Sequence, residues 1–398
     1  MIRVKLGDIC TVVSGSTPKT GNPENWDGEI KWITPAELSE DSYYLYDSVR
    51  HITEEGRVKT GLSFMPKGTV ILSSRAPIGK TAILGCEMCC NQGFKNLICS
   101  DVIYNEYLYH FLKCNTEYLN SLGRGATFKE ISKSIVEGID IPLPDYEEQI
   151  SIAHRIHKID TLISLRKQQL AKLDELVKAR FVELFGNPLD GTAKYPIHQV
   201  GEVAEAVDPQ PSHRTPPIEE GGIPYVSIKD CDYKTGTIDF DGARRVSRKV
   251  LEEHLNRYTL QDGDFVIGKI GTIGKPVFVP ARNDYTLSAN VVLVQPNNEL
   301  VSPYFLKYSF ESDFVERQFS EAKNSTSQAA FGIQKVRAVE VMNPDLDIQR
   351  AFERFVKQTD KSKSAIQQSL DKLETLKGAL MQKYFGRKYE PRPKKEVL

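Results

Sequence analysis

The sequence lacks any apolar run approaching the roughly 18 residues that a membrane-spanning helix needs. Its first eight residues carry charges at Arg3, Lys5 and Asp8, where a secretory peptide would be apolar. Both absences point to the cytoplasm. Charge of either sign is also not in excess: 52 Lys and Arg meet 53 Asp and Glu, for a formal net charge of −1. That excludes a uniformly basic nucleic-acid binder but leaves room for local basic surfaces, because phosphate affinity follows where Lys and Arg cluster. Cysteine is sparse: seven residues, an odd number, with five between Cys86 and Cys114. This is the pattern of reduced thiols, not of a disulfide framework. With 40% hydrophobic and 26% charged residues, extensive disorder is excluded. A chain of 398 residues is too long for one ordinary core and fits two domains, with or without connecting elements.

Linear signatures of catalysis are missing too. Ser74-Arg75-Ala76-Pro77-Ile78-Gly79-Lys80-Thr81 nearly matches a phosphate-binding loop, but Ser74 stands where glycine is required and Pro77 removes a backbone donor. The string and its counterpart ending Gly274-Lys275-Pro276 read as tight turns between strands. Gly268, Gly271 and Gly274 recur every third residue, which is not the dinucleotide-binding spacing and suits a strand corner. Cys86 and Cys89 have zinc-like spacing without a second pair and read as buried or half-buried thiols. The seven histidines form no nucleophile-base pattern, and no Asp-Pro-Pro-Tyr-like string of an amino-methyltransferase is found. The acid-rich stretch 262–264 suits a turn.

What is present is a repeat. With a constant shift of 200 positions and no gap, Gln149, Asp160, Ser164, Gln168, Leu170, Lys172, Leu173, Leu176, Ala179 and Phe185-Gly186 match Gln349, Asp360, Ser364, Gln368, Leu370, Lys372, Leu373, Leu376, Ala379 and Phe385-Gly386. In the first copy Ile152, Ile156, Ile159, Ile163, Leu170, Leu173, Val177 and Leu184 follow three- and four-residue steps, the seam of a coiled coil. The second copy places Phe352, Val356, Ile366, Leu370, Leu373, Leu380 and Tyr384 on the same seam, with Arg166, Thr359 and Lys363 as polar members that would fix register. Asp145 and Asp345 are the expected N-caps, and the Phe-Gly pairs the expected stops, glycine adopting the left-handed conformation. Such helices would be on the order of 50 to 60 Å long. Neither could bury its stripe alone, so the two are expected to pack on each other.

The regions before the helices repeat more loosely and in the same order. Leu6-Gly7-Asp8 answers Val200-Gly201-Glu202, Lys31-Trp32-Ile33-Thr34 answers Pro224-Tyr225-Val226-Ser227, and Pro66-Lys67-Gly68-Thr69 answers Gln261-Asp262-Gly263-Asp264. Pro77-Ile78-Gly79-Lys80 answers Thr272-Ile273-Gly274-Lys275. Short β-branched and aromatic runs punctuated by Gly and Pro, with a helix near 104–119 and another near 303–319, predict mixed α/β domains. The expected organisation is a domain over 1–145, a helix over 146–186, a second domain over 187–345 including the linker 187–196, a second helix over 346–386, and a flexible tail over 387–398.

Basic and amide residues gather with aromatics on the glycine-rich loops of both domains. They are Arg75, Lys80, Gln92, Lys95, Arg124, Lys129 and Lys133 in the first, and Arg244, Arg245, Arg248, Lys269, Lys275, Asn290, Asn324, Gln328, Gln334 and Lys335 in the second. Arg and Lys can read guanine edges or hold phosphates, and Asn and Gln can read adenine. These are candidate DNA contacts as a group, although any one of them taken alone is more readily read as a solvated surface residue.

The order Gly123-Arg124-Gly125-Ala126-Thr127, Ile139-Asp140-Ile141-Pro142-Leu143-Pro144, Glu147-Glu148-Gln149 and Glu183-Leu184-Phe185-Gly186-Asn187-Pro188, together with the repeat, resembles the specificity subunits of type I restriction-modification systems. The second half departs at Asn324-Ser325-Thr326-Ser327-Gln328 and at Met342-Asn343-Pro344-Asp345. The resemblance implies an α/β protein: two mixed α/β target recognition domains separated by two long antiparallel coiled-coil helices, with a pseudo-twofold internal repeat. It further implies that each domain reads half of a split site on double-stranded DNA and that the helices set the spacing. Two methyltransferase subunits and the restriction-translocase subunits would be the partners. S-adenosylmethionine, ATP and magnesium would belong to those partners, with no catalytic residue, metal or cofactor in this chain. Two other readings stay open: a stand-alone nuclease or methyltransferase with an unrecognised site, and a coiled-coil scaffold for proteins.

Overall fold

The computed structural model describes residues 2–386 apart from 76, 126–128, 211, 213, 234, 270–272 and 325–331. Parts of the quoted motifs (Ala76, Ala126-Thr127, Gly271-Thr272 and Ser325 to Gln328) and the tail 387–398 lie outside the described residues. The chain divides into two compact units: Met1–Lys167 with Gln368–Leu398, and Gln168–Gln367.

Unit one is built on a five-stranded sheet in the order Cys10–Ser14, Phe94–Cys99, Val70–Ser73, Thr81–Leu84, Tyr44–Leu45. All neighbours are antiparallel except the last pair. The central strand is a continuous apolar run because it is covered on both faces. Val70 and Leu72 face Tyr107, Leu108, Phe111 and Leu119 of the helices Asn105–Cys114 and Thr116–Leu122. Ile71 faces Ile33, Met65 and Met88 on the side of a smaller sheet, His51–Ile52, Trp26–Ile33, Cys89–Cys90.

Unit two repeats this plan. Its four-stranded sheet runs Ala204–Val207, Val291–Pro296, Phe265–Gly268, Val277–Phe278. Phe265 and Ile267 face Phe305, Phe310 and Phe319, and Val266 faces Val226, Tyr258 and Tyr285. Small motifs recur with it. Gly7 and Gly201 let the short helices Lys133–Glu137 and Ile333–Arg337 approach; an added Cβ would stand 2.9 Å from Glu137 and 3.2 Å from Arg337. Thr34 and Ser227 each give a backbone N–H to an acid three residues on, Glu37 and Asp230, at 2.8 Å in both cases.

The repeated Gln pair locks each long helix to its domain. Gln149, fully buried, accepts from the Tyr104 amide at 2.8 Å and donates to the Val102 and Pro144 carbonyls at 3.0 Å. Gln349 accepts from the Ser302 amide at 2.7 Å and donates to the Pro344 carbonyl at 2.6 Å. The helices span Tyr146–Phe185 and Leu346–Phe385, 40 residues each. Asp145 caps the first by accepting from the Glu148 amide at 2.8 Å.

Within each unit the two helices run antiparallel. In unit one Asp160 meets Lys377 at 2.5 Å and Lys167 meets Glu374 at 3.1 Å; in unit two Asp174 meets Lys363 at 2.6 Å. Ile156, Ile159, Ile163, Val177, Val356 and Leu370 are buried along the seam, and Leu170, Leu173, Ile366, Leu373 and Leu380 are half-buried. Phe181, absent from the expected seam, is also buried.

The compact units do not follow the sequence repeat, in which a domain is followed by its own helix. Phe385, at the end of the second helix, packs on Tyr107 and Phe111 at 5.1 and 6.2 Å between ring centroids and completes the core of unit one. Phe185, at the end of the first helix, packs on Phe305 at 4.7 Å and on Phe352 at 5.6 Å in the core of unit two.

Three local expectations are corrected. The single helices near 104–119 and 303–319 are each two, split at Asn115, whose side chain turns back to the Phe111 carbonyl, and after Phe310. Gly186 is left-handed, with φ of +80°, as a helix stop should be. Gly386 is not left-handed: its amide completes an ordinary helical bond to Gln382. Among the described residues no helix is long and apolar enough to cross a membrane.

Candidate nucleic-acid interface

In unit one, three loops meet beyond the ends of the central strands. The Ser74 amide and hydroxyl both donate to the Gly93 carbonyl, at 2.7 and 3.0 Å, joining residues 74–80 to the turn that carries exposed Gln92. The Ile131 amide donates to the Ser74 carbonyl at 2.9 Å, and Arg124 and Glu130 exchange two backbone bonds of 3.0 Å. Arg75, Gln92, Arg124 and Lys129 are thereby brought to one loop face, all four exposed.

Beneath them lies Lys95, 5% exposed, on the strand Phe94–Cys99. A buried ammonium costs several kcal/mol unless it is paired and hydrogen-bonded. Here it donates to Ser74 Oγ and Glu130 Oε1, both at 3.3 Å. The other carboxylate oxygen of Glu130 accepts from Arg75 Nε at 3.1 Å. Burial pushes the Glu130 carboxyl up, but the Arg75 and Lys95 hydrogen bonds outweigh it and hold the group below the usual carboxylate range.

In unit two the corresponding loops meet around Lys269, 6% exposed, directly after the strand Phe265–Gly268. Its amide donates to the carbonyl of exposed Asn290 at 2.9 Å. Its ammonium stands 2.8 Å from Asp208 Oδ2, an ion pair whose angles are not those of a hydrogen bond. Asp208 follows the edge strand Ala204–Val207 and holds the next turn by accepting from the Gln210 amide at 3.1 Å. That turn reaches His254, which is buried, loses basicity through desolvation, and contacts Gln210 Oε1 and, at 2.6 Å, Thr286 Oγ1.

The other candidates within the described residues lie on other strands, helices and loops. Lys80 turns inward and donates to the Leu38 carbonyl at 2.6 Å, and Lys133, on its own short helix, pairs with Glu137 at 3.6 Å. Arg244 and Arg245 lie on the strand Arg244–Val246, where their guanidinium groups tie down backbone carbonyls of Pro216 and Gly222 at 2.7 and 3.2 Å. Together with Lys229, Glu219 and Glu220 they line an open cleft of about 590 Å³. Arg248 starts the helix Arg248–Leu255, and Lys275 sits 5.4 Å over the ring of Tyr233. Gln334 is exposed and Lys335 half-buried on Ile333–Arg337; Asn324 ends the helix Asp313–Asn324, and Gln328 lies outside the described residues. Arg75, Gln92, Lys95, Arg124 and Lys129 of the first domain and Lys269 and Asn290 of the second thus come together at these loops, whereas Lys80, Lys133, Arg244, Arg245 and Arg248 lie on or against other strands and helices.

Sequence reasoning missed Glu130 and Asp208. Each is an acid in a loop, far along the chain from the lysine it meets, and no linear pattern marks it. It also missed Arg50, which stacks over Trp26 at 3.6 Å, and Arg282, which stacks over Phe240 at 4.4 Å. The thiols are as expected: Cys89 is buried and Cys86 half-buried, its Sγ 3.3 Å from the Tyr46 carbonyl.

Comparison with known proteins places this arrangement. The chain is 41% identical over 186 residues to the type I restriction enzyme MjaIX specificity subunit of Methanocaldococcus jannaschii, a match over 46% of this chain and 42% of that relative, less than half its length. It is 23% identical over 396 residues to the MjaVIII specificity subunit of the same organism, covering 95% and 90% of the two chains. In fold it is similar to the crystal structure of the type I restriction-modification S subunit from M. genitalium, with a TM-score of 0.61, 15% identity and coverage of 98% and 96%. The family model described as the type I restriction modification DNA specificity domain matches twice, over residues 2–175 and 194–375, and the chain belongs to that family.

Proposed function

We propose that this chain is the non-catalytic DNA sequence-specificity subunit of a type I restriction-modification complex, acting in the cytoplasm. Each globular domain reads one half of a bipartite site on double-stranded DNA, and the paired helices, each about 60 Å long at about 1.5 Å per residue, set the separation between halves. The observation that carries this reading is the duplicated loop face. Two domains of the same topology present loops anchored on a buried lysine, Lys95 in one and Lys269 in the other, as two independent readers require.

The same reading assigns two methyltransferase subunits to the helices, with restriction-translocase subunits joining that core. Support comes from the outward faces of the helices. Gln168, Lys172, Leu176 and Ala179 in unit two and Gln368, Lys372, Leu376 and Ala379 in unit one are identical pairs and all exposed. Core packing does not demand identity at exposed positions. Two copies of one partner, each bound to one stripe, would. S-adenosylmethionine for adenine methylation, and ATP and magnesium for cleavage, belong to the partners in this scheme.

Mapping methylated bases in cells that express the chain with its methyltransferase tests the proposal. A split motif is expected, and adding a matched number of turns to both helices should change the gap while leaving both half-sequences intact. Methyl transfer or cleavage by the purified chain alone would overturn it.

A further inference from the structure

We propose that Arg75 is a specificity-determining residue of the first domain, reading a guanine edge, and that Glu130 is the positioning residue that aims it. The inference rests on the reading that these loops face DNA.

The geometry is that of a braced guanidinium. Arg75 follows the central strand Val70–Ser73 on the loop tied to the Gly93 carbonyl and to Ile131. Its side chain is about half exposed, and the nitrogen engaged by Glu130 is Nε, at 3.1 Å. An arginine held by Nε directs its two terminal nitrogens away from the brace. Those paired N–H donors match the O6 and N7 acceptors that guanine presents in the major groove. The brace is itself fixed. The second oxygen of Glu130 is held by the buried Lys95 ammonium at 3.3 Å, and its backbone is bonded twice to Arg124.

A carboxylate on a DNA-facing surface repels phosphate, so it lowers affinity for any duplex. Its presence between two cations is explained if it gains orientation of the arginine in exchange. Lys95 carries no reading role here, because it is enclosed beneath the loop. At the corresponding loops of unit two the carboxylate that meets the buried lysine is Asp208, which also accepts from the Gln210 amide, and the side chains of Asp208 and Lys269 are nearly enclosed, at 12% and 7% exposure.

The test uses the full chain and a pool of random duplexes whose bound members are sequenced, with affinity for a fixed random duplex measured across salt concentrations. Glu130→Gln keeps an acceptor for Lys95 and removes one negative charge. Its affinity for the random duplex should rise several-fold at low salt, and the slope of log K against log salt should steepen by about 1, the value of one added phosphate contact. Preference for guanine at one position of one half-site should fall about tenfold, with the other half unchanged. Arg75→Gln, which leaves the pair of Lys95 and Glu130 intact, should lose the same preference without gaining salt dependence. In the Arg75→Gln background Glu130→Gln should have no further effect at that position. Glu130→Asp should restore part of the preference.

Full preference retained in Glu130→Gln, or preference lost equally in both halves, overturns the brace. If Arg124→Ala weakens binding while Glu130→Gln changes nothing, the brace alone fails. If Arg75→Gln and Arg124→Ala both bind DNA as the unaltered chain does, the loop-face reading fails with it.

Discussion

The two units share strand order, helix placement and the buried glutamine clamp, yet they reach a buried lysine under their loops by different routes. In unit one the lysine rises from a strand, Lys95, and shares an open carboxylate with an arginine; in unit two it comes from the loop after the central strand, Lys269, and is closed against Asp208. The same divergence appears at a turn. Thr69 of unit one caps its turn by donating to the Pro66 carbonyl, whereas Asp264 at the matching place accepts from the Gln261 amide and from Gln295. The framework was copied, and the polar groups on it were rebuilt independently. That is the outcome expected under the proposed function, in which one scaffold reads two different half-sites.

The comparison can be broken most forcefully at the helix ends. Phe385→Ala should destabilise unit one and Phe185→Ala unit two, each by about 3 to 5 kcal/mol for a buried aromatic. Trp26 and Trp32, the two tryptophans of the sequence, both lie in unit one, so their emission follows that unit alone while far-ultraviolet circular dichroism follows both. Phe385→Ala should lower the tryptophan transition. Phe185→Ala should leave it in place and split the dichroism curve. The opposite pattern would mean that each helix end serves its own repeat.

Next in size are the lysines. Lys269→Met strands the Asp208 carboxylate in a nearly closed site and should cost about 3 kcal/mol or more. Lys95→Met leaves Glu130 with Arg75 and water and should cost less. Equal losses in denaturant melts would erase the distinction drawn between the closed and the open pair.

A smaller contrast is in pH. Burial raises the Asp264 carboxyl to about 6, against the hydrogen bonds from Gln261 and Gln295 that lower it. A carboxyl whose folded pKa lies above its unfolded value favours the fold at low pH, and that contribution fades as pH rises through about 6. Unit two should therefore gain on the order of 2 kcal/mol between pH 7.5 and pH 4.5 from this group, and Asp264→Asn should abolish the gain. Glu130 has the opposite sign. Its carboxyl is held below the usual range, so its contribution is present at neutral pH and is lost only in stronger acid. A titration of dichroism melts showing no pH dependence at Asp264 would count against the burial argument.

The sequence disclosed the framework because the framework is periodic. The gap-free repeat, the heptad steps and the Phe-Gly stops locate both helices to within a residue or two, and the loose repeats locate the turns. What it did not disclose is which domain each helix end completes. Phe185 and Phe385 look alike in sequence, and nothing local says that each packs on the aromatics of the other repeat's domain. The candidate site was half legible for the same reason. Arg75, Arg124, Gln92 and Lys269 could be chosen by type and loop position, but their anchoring by Glu130 and Asp208 depends on contacts across dozens of residues. Arg244 and Arg245 are a further case: nothing local in the sequence says that this basic pair holds the carbonyls of Pro216 and Gly222.

The account depends on two domains reading DNA independently. Replacing residues 1–145 by the corresponding domain of another family member, and mapping methylated bases in cells that supply the methyltransferase, tests this most directly. One half of the recognised site should change, while the other half and the gap stay the same. A change in both halves would contradict it.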